Sequence, residues 1–298
     1  MRLPYRHPAP NERPVVRWPQ GERIAVWVIP NVEHFRIDAP IPGISDQVPN
    51  VPAFAARDYG GRVGFWRVAE VLDDFGVTPS IALNSDVCAA YPDVTDKIAT
   101  SGWEILGHNQ SNSQRLVGLS QEQEDELIGG TLATIESATG RRPRGWLGSG
   151  LHEGPTTLAS LARAGIEFVC DWVNDDRPYL FDGDGAPPLV SVPYSLEIND
   201  KPVIERHGHS SVEFAARALR QFDVLYREGA QSGTVMAIAI HPFLIGQPHR
   251  IHALRDILTH ITGHAGVWMT TGGAIADHYR TLVGTPGRDG PAPAVAPD

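Results

Sequence analysis

The side chains able to do chemistry fall in short groups, each just past an apolar run: Asn31, Glu33 and His34; His108, Asn109 and Asn112; Ser149 and His152; Asp171 and Trp172; then Tyr194, Glu197 and His241. Imidazole carries a proton near neutral pH and binds metal through nitrogen, and a carboxylate accepts a proton or holds a cation. Brought together, such groups would activate water or hold a metal. One His at a strand end often does no more than hydrogen-bond the backbone, but four in corresponding positions (His34, His108, His152, His241) point to a shared site. The other histidines, His7, His207, His209, His249, His252, His260, His264 and His278, fall in predicted loops or helices, where solvation is the plainer reading. Trp146 and Trp172 either pack the interior or line a pocket.

The elements that must position these groups alternate along the chain. Strands are predicted at 24–29, 80–83, 103–107, 145–148, 168–172, 189–193, 235–240 and 267–270. Helices are predicted at 65–75, 94–100, 121–138, 156–164, 212–227, 251–261 and 273–279. On the first helix Phe65, Val68, Val71, Leu72 and Phe75 share a face and Gly76 is the stop; Ser120 caps the third and Gly140 ends it. No Gly-rich phosphate fingerprint follows the first strand, so the alternation favours an α/β fold of the barrel kind with about seven parallel strands over a doubly wound nucleotide-binding sheet. One barrel domain is expected over 1–298, with a core over roughly 17–280 between Pro-rich ends, since such barrels reach about 250 residues. Barrel enzymes place their sites past the strand C-termini, where every group above falls. The stretch 35–64 is too long for an ordinary connection and is expected to be a loop or lid over that mouth.

Composition removes several function classes. The 25 Lys+Arg against 35 Asp+Glu give a net charge of −10, which repels polyphosphates and anionic membranes, and no basic-aromatic patch offers a nucleic-acid surface. Neither nucleic acid nor membrane is an expected partner. The 2 cysteines, Cys88 and Cys170, form no CxxC pair, so neither a disulfide framework nor a Cys-zinc site is expected. Without an apolar leader or a run of about 18 apolar residues, a cytoplasmic protein is expected.

Five segments together resemble the successive motifs of the polysaccharide deacetylase superfamily: Val28–Phe35, Glu104–Ser113, Pro143–Ser149, Pro193–Asp200 and Ile240–Pro242. The likeness is nearest to its allantoinase-like and cyclic-imide-hydrolase-like branch and runs from about Arg17 to Tyr279. It implies a distorted (β/α) barrel, hydrolysis of a non-peptide C–N bond, a small-molecule substrate and a homo-oligomer, dimer or tetramer. It also implies a zinc ion. Where the family has an Asp-Asp pair this chain has Asn31-Val-Glu33-His34, and where the family has His-x-x-x-His it has His108-Asn-Gln-Ser-Asn112. The metal set implied is therefore Glu33, His108 and Asn112 or His34, one imidazole short, and an Asn amide is a poor zinc donor. The family's last histidine, a proton donor, matches His241.

Amide hydrolysis needs an activated water, a base, oxyanion stabilisation and an acid. With zinc the metal would activate the water. Without it Glu33 would take the proton directly, with His241 the acid in both versions. Asn109, Asn112 and the turn around Ser149 would hydrogen-bond the oxyanion, and Asn109, Ser149, Trp172 and Tyr194 are the expected substrate contacts. A cyclic imide or ureide leaves on a nitrogen stabilised by a second carbonyl, so ring opening tolerates weak metal activation. The expected activity is thus a cyclic amidohydrolase. The alternatives are a metal-dependent N-deacetylase acting on an amino sugar or acetylated amine, and a barrel that binds a small molecule without catalysis.

Overall fold

A computed structural model describes residues 3–6, 8, 9, 12–182 and 188–284. His7 and the Pro-rich stretch 285–298 lie outside the described residues. Among those described, nine strands form one curled sheet: β1 (Ile24–Val32), β2 (Ser80–Leu83), β3 (Glu104–Gly107), β4 (Gly145–Trp146), β5 (Phe168–Val169), β6 (Tyr179–Leu180), β7 (Val190–Ser191), β8 (Thr234–Ile240) and β9 (Val267–Met269). The order is β6-β7-β5-β4-β3-β2-β1-β8, with β9 against β1, and every pairing is parallel except β6 with β7. The expected distorted (β/α) barrel is therefore present as a curled half-barrel. One strand falls outside the predicted runs: β6, only two residues long; β9, expected at 267–270, pairs with β1 over Ile24–Val26 while β2 takes the far end of β1 at Asn31 and Val32. Across the gap between β7 and β8 a single bridge joins Asn199 to Ala239, and Trp27 Nε1 donates to Pro193 O at 3.1 Å.

β1 is buried along its whole length, because alternate residues feed two different cores. Ile24, Val26 and Val28 pack outward with Met236, Ile238 and Ile240 of β8 against the helices Phe65–Asp74, Ser211–Glu228 and Ile251–Thr262. Ala25, Trp27 and Ile29 point inward to meet Ala82, Leu106, Phe168, Val190, Val235 and Ala237. Helix ends follow local chemistry. Ser120 with Gln123, and Ser210 with Glu213, close capping boxes, and Gly140 ends its helix at φ +71°.

The stretch 35–64, expected as a loop, contains the helix Val51–Tyr59, capped by Asn50, whose side chain accepts from the Ala53 N–H, with Pro52 in its first turn. The helical path continues through Gly60–Gly64, where glycines allow close approach to the segment after His241: a Cβ on Gly64 would lie 2.0 Å from the Pro242 carbonyl oxygen. Part of the stretch does reach the mouth, at Pro42, Gly43 and Ile44. No helix among the described residues is long and apolar enough to cross a membrane.

Two glycine substitutions should move stability in opposite directions. Gly64→Ala forces backbone apart beside Pro242 and is expected to cost about 1–3 kcal/mol. Gly129→Ala, inside the helix Gln121–Thr139 with nothing within 4 Å of the new Cβ, should stabilise by about 0.5–1 kcal/mol. Denaturant unfolding of both variants measures the difference; equal effects would contradict this packing.

Candidate active site

The alternation that builds the inner core also aims the site. Residues 25, 27 and 29 of β1 face inward, and the same parity carries on to Asn31 and Glu33; on β8, 235, 237 and 239 lead to His241; on β3, Leu106 leads to His108; on β2, Ala82 leads to Asn84; and Val190 and Val192 lead to Tyr194. The interior below them is apolar, so their polar ends meet at the top of the strands. There a cavity of about 520 Å³ is lined by Asn31, Glu33, His108, Tyr194, Lys201 and His241 among others.

Glu33 is the hub. One carboxylate oxygen lies 3.4 Å from His241 Nε2 and 3.6 Å from His108 Nε2, and the other 3.6 Å from Lys201 Nζ. On its far side His241 is held by Asp200, whose carboxylate accepts from Nδ1–H at 2.7 Å and from the backbone N–H at 2.9 Å. Burial alone would raise the Glu33 proton affinity, but Lys201 and His241 outweigh it and hold the carboxyl well below its usual range. Burial disfavours the His241 imidazolium, yet Glu33 and Asp200 together raise its pKa to about 9. At neutral pH the pair is thus carboxylate and imidazolium. His108 donates from Nδ1 to Leu147 O, which leaves Nε2 buried and without a hydrogen-bond partner, facing the cavity.

Several expected site residues do other work. His34 has the opposite parity to Glu33 and packs edge-on against Tyr91, with ring centroids 5.9 Å apart, outside the cavity. Burial lowers its proton affinity, helped by Arg36 and opposed by Asp86 and Asp58. Asn112 Oδ1, the expected ligand atom, accepts from Ser149 Oγ at 2.7 Å and from Asn84 Nδ2 at 3.2 Å. Asn109 turns away at φ +57°, accepting from the Ser149 N–H and donating to Gln114 O. Ser149 spends its hydroxyl on this network. Trp172 packs edge-on against Tyr5 and Phe181 and donates to Glu153, because the chain leaves regular strand geometry after Val169. Glu197 is exposed and pairs with Arg217. Of the four expected substrate contacts, Tyr194 alone lines the cavity. The roles of Asp200 and Lys201 were missed, although both adjoin the Tyr194–Asn199 stretch in sequence; nothing local marks which acid would reach β8.

A zinc ion does not fit these donors. Zinc takes three protein ligands and an open position, with imidazole and carboxylate preferred. The mouth offers Glu33 and His108, while His34 and Asn112 are turned elsewhere, and Lys201 already sets a cation beside Glu33. Among the described residues the only His, Cys, Asp or Glu trio with ligand atoms within 4.8 Å of one another is Asp223, His260 and His264, on the surface.

Two measurements follow from this geometry. His241 should titrate near pH 9 by NMR, and Asp200→Asn should move the midpoint down toward 6.5. Since the folded pKa is raised, the stability His241 contributes is complete below about 6.5 and lost as pH climbs through about 9. An unmoved midpoint would mean that Asp200 does not support the imidazolium. Asn112→Ala, which strands the Ser149 hydroxyl and the Asn84 amide, should cost about 1–3 kcal/mol in unfolding measurements and leave the zinc content of the purified protein unchanged.

No model of a protein family matches the chain. It is 30% identical over 241 residues to a Schizosaccharomyces pombe protein described as a polysaccharide deacetylase, covering 74% of each chain. It is 23% identical over 255 residues to a peptidoglycan deacetylase of Helicobacter pylori, covering 74% of this chain and 85% of that one. Its fold is similar to the crystal structure of Puue allantoinase, with a TM-score of 0.82 and 26% identity, covering 91% of this chain and 94% of the other. The inward Glu33 and His241 stand in the segments that carry the motif resemblance, and the chain belongs to the polysaccharide deacetylase family, hydrolases of carbon–nitrogen bonds other than peptide bonds.

Proposed function

We propose that this protein opens a small cyclic amide, imide or ureide by direct attack of water. The observation that carries the reading is the buried Glu33 carboxylate facing the His241 imidazolium at the floor of a cavity of about 520 Å³. Water oxygen adds to the ring carbonyl carbon while Glu33 takes its proton. The C–N bond then breaks as His241 Nε2 gives its proton to the departing nitrogen. A strongly depressed carboxyl is by itself a weak base. When His241 surrenders its proton, however, one of the cations that depresses Glu33 disappears, so the two transfers assist each other. The Glu33 proton returns to His241 to reset the pair. Lys201 and His108 face the same carboxylate, and Asp200 orients the imidazole throughout.

The cavity size suits a small ring, and the second carbonyl of such a substrate stabilises the leaving nitrogen. The Puue allantoinase likeness points the same way. A second reading, removal of an acetyl group from an amino sugar or acetylated amine, is favoured by the names of the S. pombe and H. pylori relatives.

The test is a panel of rings (hydantoin, succinimide, allantoin) assayed beside acetate release from N-acetylglucosamine oligomers, with and without chelator. Ring opening is expected, unaffected by EDTA and falling above about pH 9 as His241 loses its proton. Glu33→Gln and His241→Ala should each lower kcat by about 10²–10⁴-fold. Acetate release without ring opening would replace this reading with the second, and no turnover of either kind would leave a binding barrel.

A further inference from the structure

Counting charges around the cavity leaves one half-buried cation without a counter-ion. Glu33 faces Lys201 and His241, and Glu205 pairs with Arg57. Arg115, which also lines the cavity, has no carboxylate partner among the described residues; its Nη1 donates instead to His152 Nε2 at 2.6 Å. An imidazole nitrogen that accepts from a guanidinium is neutral, and burial together with Arg115 lowers the His152 proton affinity. Both groups lean on the Gly150 turn, where φ is +70° and a Cβ would lie 2.8 Å from His152 Cδ2 and 3.7 Å from Arg115 Cζ. The guanidinium is therefore held in place, partly removed from water, against a neutral group.

Such a position is unfavourable unless an anion completes it, and the planar fork of Arg matches a carboxylate with two parallel hydrogen bonds. The protein as a whole carries ten more acids than bases, so a wall that lacks one is not a consequence of composition. Arg206, exposed at the rim and likewise without a carboxylate partner among the described residues, adds potential of the same sign. We infer that the substrate carries a carboxylate, which Arg115, oriented by His152, binds while the scissile amide lies over Glu33 and His241. The inference rests on the ring-opening reading for the identity of the ring, but the anion site stands on its own geometry.

The probes are hydantoin and hydantoin-5-acetic acid, which differ in the carboxylate arm. Binding is measured by calorimetry in the Glu33→Gln background, so that neither ring is consumed, and kcat/KM in the wild type, with thermal melts to check folding. The acid should bind at least about tenfold more tightly than hydantoin, as expected for a charge-assisted bidentate contact. Arg115→Ala and Arg115→Gln should both erase that preference, chiefly through KM, and Arg115→Lys should keep part of it. Equal binding of the two rings, binding of neither, or a preference that survives both substitutions overturns the inference. Arg115-dependent binding of an acid that the wild type does not open would keep the carboxylate site and remove the ring-opening reading.

Discussion

A carboxylate and an imidazolium buried together at the top of β1 and β8 set the terms for the rest of the molecule. Separate burial of either charge would be costly, and each is kept ionised by the other, with Lys201 behind the carboxylate and Asp200 behind the imidazole. The arrangement holds only if the two strands stay in register. That register is fixed by seven consecutive pairs from Ile24↔Thr234 to Pro30↔Ile240, and by a helical layer packed on the outer faces of both strands. Removing one member would leave its neighbour with a single partner for its charge, Lys201 for the carboxylate or Asp200 for the imidazolium.

The surroundings are built to keep that group still. Asn84 ties β2 to the turn after β3 through His108 O, and its side-chain oxygen accepts from the His34 N–H at 2.9 Å. Ser149 and Asn112 close the same network from the next loop. On the other side, Gly60 and Gly64 let a helical segment sit directly on the backbone that follows His241. Arg57 anchors the long 35–64 connection through Glu205 while its guanidinium lies over the Phe35 and Phe243 rings. Side chains that look like ligands in the sequence thus serve as struts, and the groups left facing the cavity are few.

The family likeness extends over most of the chain, yet the polar groups at its mouth differ from those of a zinc hydrolase. One histidine position of the usual pair is an Asn whose oxygen is already committed, and a lysine ammonium stands beside the carboxylate. The first removes a donor that a metal would need, and the second places a positive charge carried by the chain beside Glu33.

The sequence by itself determined the alternation of strands and helices and the end of the barrel where the polar groups gather, and it singled out Glu33 and His241, which the fold brings side by side. These are set by local patterns: apolar runs of period two, helix caps, and a polar residue at the close of each inward face. The sequence left His34 beside Glu33 as a candidate ligand; the observed strand separates them, because neighbours on a strand point to opposite sides. Tertiary structure decided what depends on contacts between distant segments. Asp200 reaches His241 across 41 positions, Lys201 meets Glu33, and Asn112 is claimed by Ser149. Trp172, of inward parity by count, leaves the interior because its strand stops two residues after it starts. Hydrogen-bond partners of this kind are chosen by the packing of whole layers, which no short window of sequence contains.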